Sequence, residues 1–167
     1  MLFRSSAIFR KIAEACANLN FQLIITLGSK GNPNCYVDLP GSPIVVNYAP
    51  QHAVLQRTAI TICHAGHNTV LDSLDCGVPV IAIPVQTADT GIATRLQYSG
   101  AGEWIKLNRL TSERLSAAMQ RIISEPSYKR RAQAMGASIK RAGGECRAAD
   151  LIEQTLTLPD VGLKKAS

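Results

Sequence analysis

Apolar positions along this chain switch repeatedly between a helical and an extended period. Ile8, Ile12, Ala15 and Leu19 recur at helical spacing, with Ser5 and Ser6 available as caps. The run FQLIITL is rich in β-formers and stops at Gly28. The segment GSKGNPNCYVDLPGSP that follows holds so much Gly, Pro, Asn and Ser that it reads as loop. PIVVNY is a second strand, QHAVLQR a short helix, and AITIC a third strand. NTVLDSLDCG reads as a helix closed by Gly77, and PVIAIPV as a continuously apolar fourth strand. A helix over about Ala88–Tyr98 follows, then EWIKL as an edge strand. Thr111 caps a helix through Leu115, Met119 and Ile122, and Pro126 opens another that lasts until Gly143-Gly144. A last helix lies near Cys146–Leu156, ahead of an aperiodic tail. Repeated strand–helix units predict an α/β domain over residues 1–157, with a mostly parallel, Rossmann-like sheet flanked by helices and a flexible tail over 158–167.

Composition narrows the class. Of 167 residues, 46% are hydrophobic and 18% charged, which is a globular profile and not a disordered one. No apolar run approaches the roughly 20 residues a bilayer requires, and the first residues lack a secretory pattern. The net charge of +6 is spread out, and its one cluster, Lys129, Arg130, Arg131, Lys140 and Arg141, reads as a solvated helix face. Aromatics are 5%, too few for base-stacking platforms, so nucleic acid is not the expected partner. Five cysteines without metal or redox spacing read as reduced thiols in a cytosol, with Cys63 a buried small hydrophobe.

The chemistry concentrates where ligands of such sheets bind, beyond the carboxyl ends of the strands. AITIC runs through HAGHNT into a helix, so free N–H groups and the helix dipole face whatever sits there, and a phosphate is the natural ligand. Asn68 and Thr69 add donors, His64 adds an imidazole, and Gly66 lets the backbone come close. The plainer alternative is that Asn68 or Thr69 caps its own helix and His64 ends a strand. A zinc site on His64 and His67 lacks a third ligand nearby. Tyr48 offers a ring for stacking and Gln51 an amide; Asp72 offers a carboxylate about one turn into the helix, and Asp89 another in the loop after the fourth strand.

Taken together, YAPQ at Tyr48–Gln51, HAGHNTVLDSLDCGVPVIAIP from His64 to Pro84, QTADTGIATRL, and Gly100–Gly102 resemble family 1 glycosyltransferases of the GT-B fold. The likeness spans about Ile8 to Leu156 and is closest to the zeaxanthin and macrolide types. It implies that Tyr48 stacks on uracil and Gln51 lies near the ribose. It implies diphosphate contacts for His64, Asn68 and Thr69, a loop role for Gly66, ribose hydroxyls for Asp72, and a grip on the donor sugar for Asp89. The family's usual Asp-Gln pair is replaced by Ala88-Asp89, and His67 stands where Trp or Leu is usual.

The resemblance further implies a C-terminal donor half. The family's first donor-domain strand, and an N-terminal domain carrying the acceptor pocket and the catalytic base, are not matched, so no catalytic residue is expected on this chain. The implied activity is inverting transfer of a hexose from a UDP-sugar, UDP-glucose by preference, to a hydroxyl of a hydrophobic acceptor such as a carotenoid or macrolide. No cofactor or metal is expected, nor more than peripheral membrane contact, and the location is cytoplasmic. By itself the chain would bind nucleotide weakly and catalyse nothing; a separate N-terminal-domain chain is a possible partner. A non-catalytic nucleotide-binding module, or an epimerase of related fold, are the other readings.

Overall fold

A computed structural model describes residues 6–19, 21–29 and 31–157. The predicted cap Ser5 and the tail 158–167 lie outside them. The elements are α1 (Ser6–Ala17), β1 (Ile24–Thr26), β2 (Ile44–Val46), α2 (Gln51–Leu55), β3 (Thr61–Cys63), α3 (His67–Asp75), β4 (Val80–Ala82), α4 (Thr87–Ser99), β5 (Gly102–Trp104), α5 (Ser112–Ser124), α6 (Pro126–Arg141) and α7 (Gly144–Thr157). The alternation predicted from the sequence is borne out, with shorter strands. The loop after β1 carries one short 3-10 turn, Pro33–Tyr36, which Asn32 caps by accepting from the Asn34 N–H. Thr111 caps α5 as predicted, its hydroxyl accepting from the Arg114 N–H at 3.2 Å.

All paired strands are parallel. The expected single sheet is divided, however. β1 pairs only with β2, and β3–β4–β5 form a second sheet. One edge of β1 and one edge of β3 therefore bear ladder groups that no described strand meets. Both strands line one cavity of about 1030 Å³, together with Phe9, Phe21 and Met119. Adjacent strands pair at about 4.8 Å, and β1 and β3 both face that cavity without pairing with each other.

The two faces of β4 explain its continuous apolar run. Ile81 and Ile83 pack with α1 and α5, through Phe9, Ile12, Cys16, Leu115, Met119 and Ile122. Val80 and Ala82 face the other way, toward Val70, Leu74, Leu96 and Ala132 of α3, α4 and α6. Phe9, Ile12, Ala13 and Cys16 recur three and four apart, which turns one stripe of α1 inward. Full burial of such side chains contributes about 1.5–3 kcal/mol each. Polar ties fasten the rim: Lys11 Nζ donates to the Leu110 carbonyl, and Ser116 Oγ to that of Ala15. At the far edge Arg121 grips Glu103 with two bonds of 2.9 and 2.7 Å, and Tyr128 donates to the same carboxylate. Burial raises the Glu103 pKa, but these bonds outweigh it and leave the carboxyl below its ordinary range.

Candidate functional site

Three loops leave the carboxyl ends of β2, β3 and β4, and the residues singled out in the sequence lie on these loops or on the helices they enter. The sharpest feature is the turn from β3 into α3. Ala65 is fully buried with φ of 70°, a left-handed conformation unusual for a residue with a Cβ, and it swings the chain into the helix. Gly66 is the N-cap and offers no side-chain cap, so the plainer alternative of Asn68 or Thr69 capping its own helix does not hold. His67, Asn68 and Thr69 are the first three helical residues, and their N–H groups face outward without an intrahelical partner.

The need for glycine at position 66 is side-chain packing, a reason the sequence does not show. Its φ of −60° suits any residue. A Cβ there would lie 2.7 Å from His64 Nε2, because the imidazole folds over the loop. Glycine thus makes room for the ring beside the helix start. Partial burial lowers the His64 pKa, while the Asp89 carboxylate pulls the other way. The lowered value leaves a neutral imidazole at pH 7, able to donate one N–H. Cys63, one residue earlier, is buried as predicted; desolvation chiefly pushes its thiol up to about 11, and it stays protonated.

Asp89 sits in a different place from the one expected. It is the third residue of α4 and not part of a loop, and it accepts the Gln86 N–H at 3.1 Å in a capping box. Its charge still reaches the β3–α3 turn, since it acts on both His64 and Cys63. Asp72 and Gln51 meet directly: Gln51 Nε2 donates to Asp72 Oδ2 at 2.7 Å, tying the first residue of α2 to α3. Tyr48 stands apart, 82% exposed on the rim of the cavity between β1 and β3. Gln51, His64 and Thr69 reach the same rim.

Sequence reasoning missed several supports. Ser73 is fully buried and bonds Thr61 Oγ1 at 3.0 Å and the Thr69 carbonyl at 2.7 Å, locking α3 onto β3. Gly136 lets α6 cross close over the Leu74 carbonyl at the end of α3. The only available signals were a lone serine and a lone glycine inside helical patterns. The site as a whole presents outward N–H donors, a neutral imidazole, a carboxylate–amide pair and an exposed ring. Such a set suits an anion carrying a polyhydroxylated and a planar part. The basic cluster on α6 is a solvent-exposed face, as predicted. No helix among the described residues is long and apolar enough to cross a membrane.

Known proteins resemble this chain in sequence and in fold. Residues 6–141 match the family described as UDP-glucoronosyl and UDP-glucosyl transferase. The demethyllactenocin mycarosyltransferase of Streptomyces fradiae is 30% identical over 150 residues, which is 90% of this chain and 32% of that protein. The zeaxanthin glucosyltransferase of Pantoea ananas is 30% identical over 152 residues, 89% of this chain and 35% of that one. Among solved structures, the calicheamicin glycosyltransferase CalG4 superposes with a TM-score of 0.82 at 26% identity, covering 90% of this chain and 39% of CalG4. The glycosyltransferase of kitacinnamycin gives 0.80 at 27%, covering 92% and 40%. The chain spans about a third of the length of these curated relatives, in their C-terminal portion. By this match and this fold, the chain belongs to the UDP-glucoronosyl and UDP-glucosyl transferase family.

Proposed function

We propose that this chain is the donor half of a glycosyltransferase, holding a UDP-sugar, UDP-glucose by preference, while a hexose passes with inversion to a hydroxyl of a hydrophobic acceptor. The observation that carries the reading is the uncapped start of α3 with the neutral His64 imidazole folded over Gly66. In such a reaction the acceptor oxygen attacks the anomeric carbon and the nucleotide diphosphate departs with growing negative charge. N–H groups fixed at a helix start stabilise that charge without reorganising, and a neutral His64 N–H adds a donor. This part of the chemistry asks for no metal. The Gln51–Asp72 pair suits two ribose hydroxyls, one accepting and one donating group side by side. Tyr48 suits the uracil face, and Asp89 the sugar, with its second oxygen beyond the capping box.

The catalytic base and the acceptor pocket belong, in this reading, to a second domain, whether on the same polypeptide or on a partner. The open edges of β1 and β3 favour a further strand from that part of the enzyme, seated in the apolar lane between them. Calorimetry with UDP tests the donor site. His64→Ala is expected to weaken UDP at least about tenfold, and Asp72→Asn to weaken it by a similar factor. Wild-type affinity in both variants would sink the assignment.

A further inference from the structure

A second cluster of ligand-type side chains lies one helical turn away from the Gln51–Asp72 pair, where α2 packs on α3. His52 of α2 faces Asp75 and Cys76 at the end of α3, and one donor atom from each lies within 4.8 Å of the other two. Cys76 Sγ stands 3.6 Å from His52 Nδ1 and 3.9 Å from Nε2. A tetrahedral zinc ion with ordinary bond lengths sets a thiolate sulfur and an imidazole nitrogen about 3.5 Å apart. The pair is thus already at coordination spacing, and a turn of the exposed His52 ring aims either nitrogen at the shared point.

An independent observation concerns the third member. Asp75 Oδ1 is buried and has no hydrogen-bond partner among the described residues. Its nearest cation is the ammonium of Lys140, at 3.9 Å and too long for a hydrogen bond. A buried carboxylate oxygen with an ion pair but no hydrogen bond is incompletely satisfied, and a cation bonded to it directly would stabilise it.

We propose that His52, Asp75 and Cys76 form a binding site for a zinc-class divalent ion that fastens α2 to α3, with water in the fourth position. Thiolate, imidazole and carboxylate are the donor set of such ions, and hard oxygen-seeking cations are a poor match. Binding releases the Cys76 proton to solvent and displaces the Lys140 ammonium from Asp75. The site is separate from the donor chemistry: its ion orders the helix that begins at Gln51 and touches no substrate.

The test is a titration of the reduced protein with Co²⁺, followed by displacement with Zn²⁺. One ion per chain is expected, with thiolate-to-cobalt charge-transfer absorption that zinc abolishes. His52→Ala, Cys76→Ala and Asp75→Asn should each weaken zinc at least about tenfold, while Cys35→Ala leaves it unchanged. Lys140→Met should tighten it, because the competing ammonium is gone. Zinc should also slow hydrogen exchange over residues 51–56 in the wild type and not in His52→Ala. His52 is exposed, so that variant keeps its fold. No charge-transfer band, a band that survives Cys76→Ala or His52→Ala, or a Lys140→Met variant that binds no tighter would each overturn the site.

Discussion

The two sheets of this molecule behave differently, and the candidate donor site straddles them. In the three-stranded sheet the central strand β4 is buried at every position, with helices on both faces. In the two-stranded sheet Ile24 and Ile44 are 41% and 49% exposed although they are as apolar as the residues of β4. The difference lies in neighbours and not in composition: β4 is paired on both edges and covered on both faces, while β1 has one bare edge. The groups proposed to face a phosphate, His64 to Thr69, hang from the well-packed sheet. Tyr48 hangs from the other, and the Gln51–Asp72 bond joins the two ends. On the proposed reading, that placement gives a rigid diphosphate end and a more weakly held base end.

The largest expected effect separates the two sheets directly. Ile81→Ala should cost about 3 kcal/mol or more, by opening a cavity in a site that is closed on all sides. Ile24→Ala should cost under about 1 kcal/mol, because its side chain is partly in water already. Urea unfolding of both variants measures this, and equal losses would erase the distinction. Next in size is Gly66→Ala. Its backbone fits alanine, so stability should change by less than about 1 kcal/mol, while the displaced His64 ring lowers UDP affinity about tenfold by calorimetry. A stability loss with intact UDP binding would make Gly66 a packing residue alone.

The smallest effect is a pH dependence. The folded chain holds His64 below its ordinary value of 6.5, so it resists a proton that the unfolded chain accepts. The associated stability is complete above that value and is lost as pH falls from 6.5 through the lowered pKa. Partial exposure screens it, so the effect is small. Urea midpoints compared at about pH 8 and about pH 5.5 should fall less in His64→Gln than in the wild type. An identical fall in both would place the titration elsewhere.

The order of elements and the place of the candidate site were legible because both rest on local signals. Periodicity marks the helices, and a strand running through Gly into a helix marks an anion site wherever it occurs. What stayed hidden depended on contacts between distant residues or on conformations against type. Ala65 in the left-handed region has no sequence signature, since glycine is the residue expected there. Gln86 is an uncommon N-cap, so Asp89 read as a free loop carboxylate when it is in fact held in a capping box. The Gln51–Asp72 and His52–Cys76 contacts join residues 21 and 24 apart, on helices whose facing sides only packing decides. The division of the sheet was hidden for the same reason, because strand order is a tertiary fact.

The bare edges of β1 and β3 have a consequence for polymerisation. They are different surfaces of one chain, and each is a row of donors and acceptors that no strand among the described residues pairs. When the β1 edge of one copy meets the β3 edge of the next, the contact is head-to-tail. A head-to-tail contact closes into a ring only at special angles and otherwise continues as a filament. A strand seated between the two edges removes both at once. A strand bound there would cover the edges from which such growth could start.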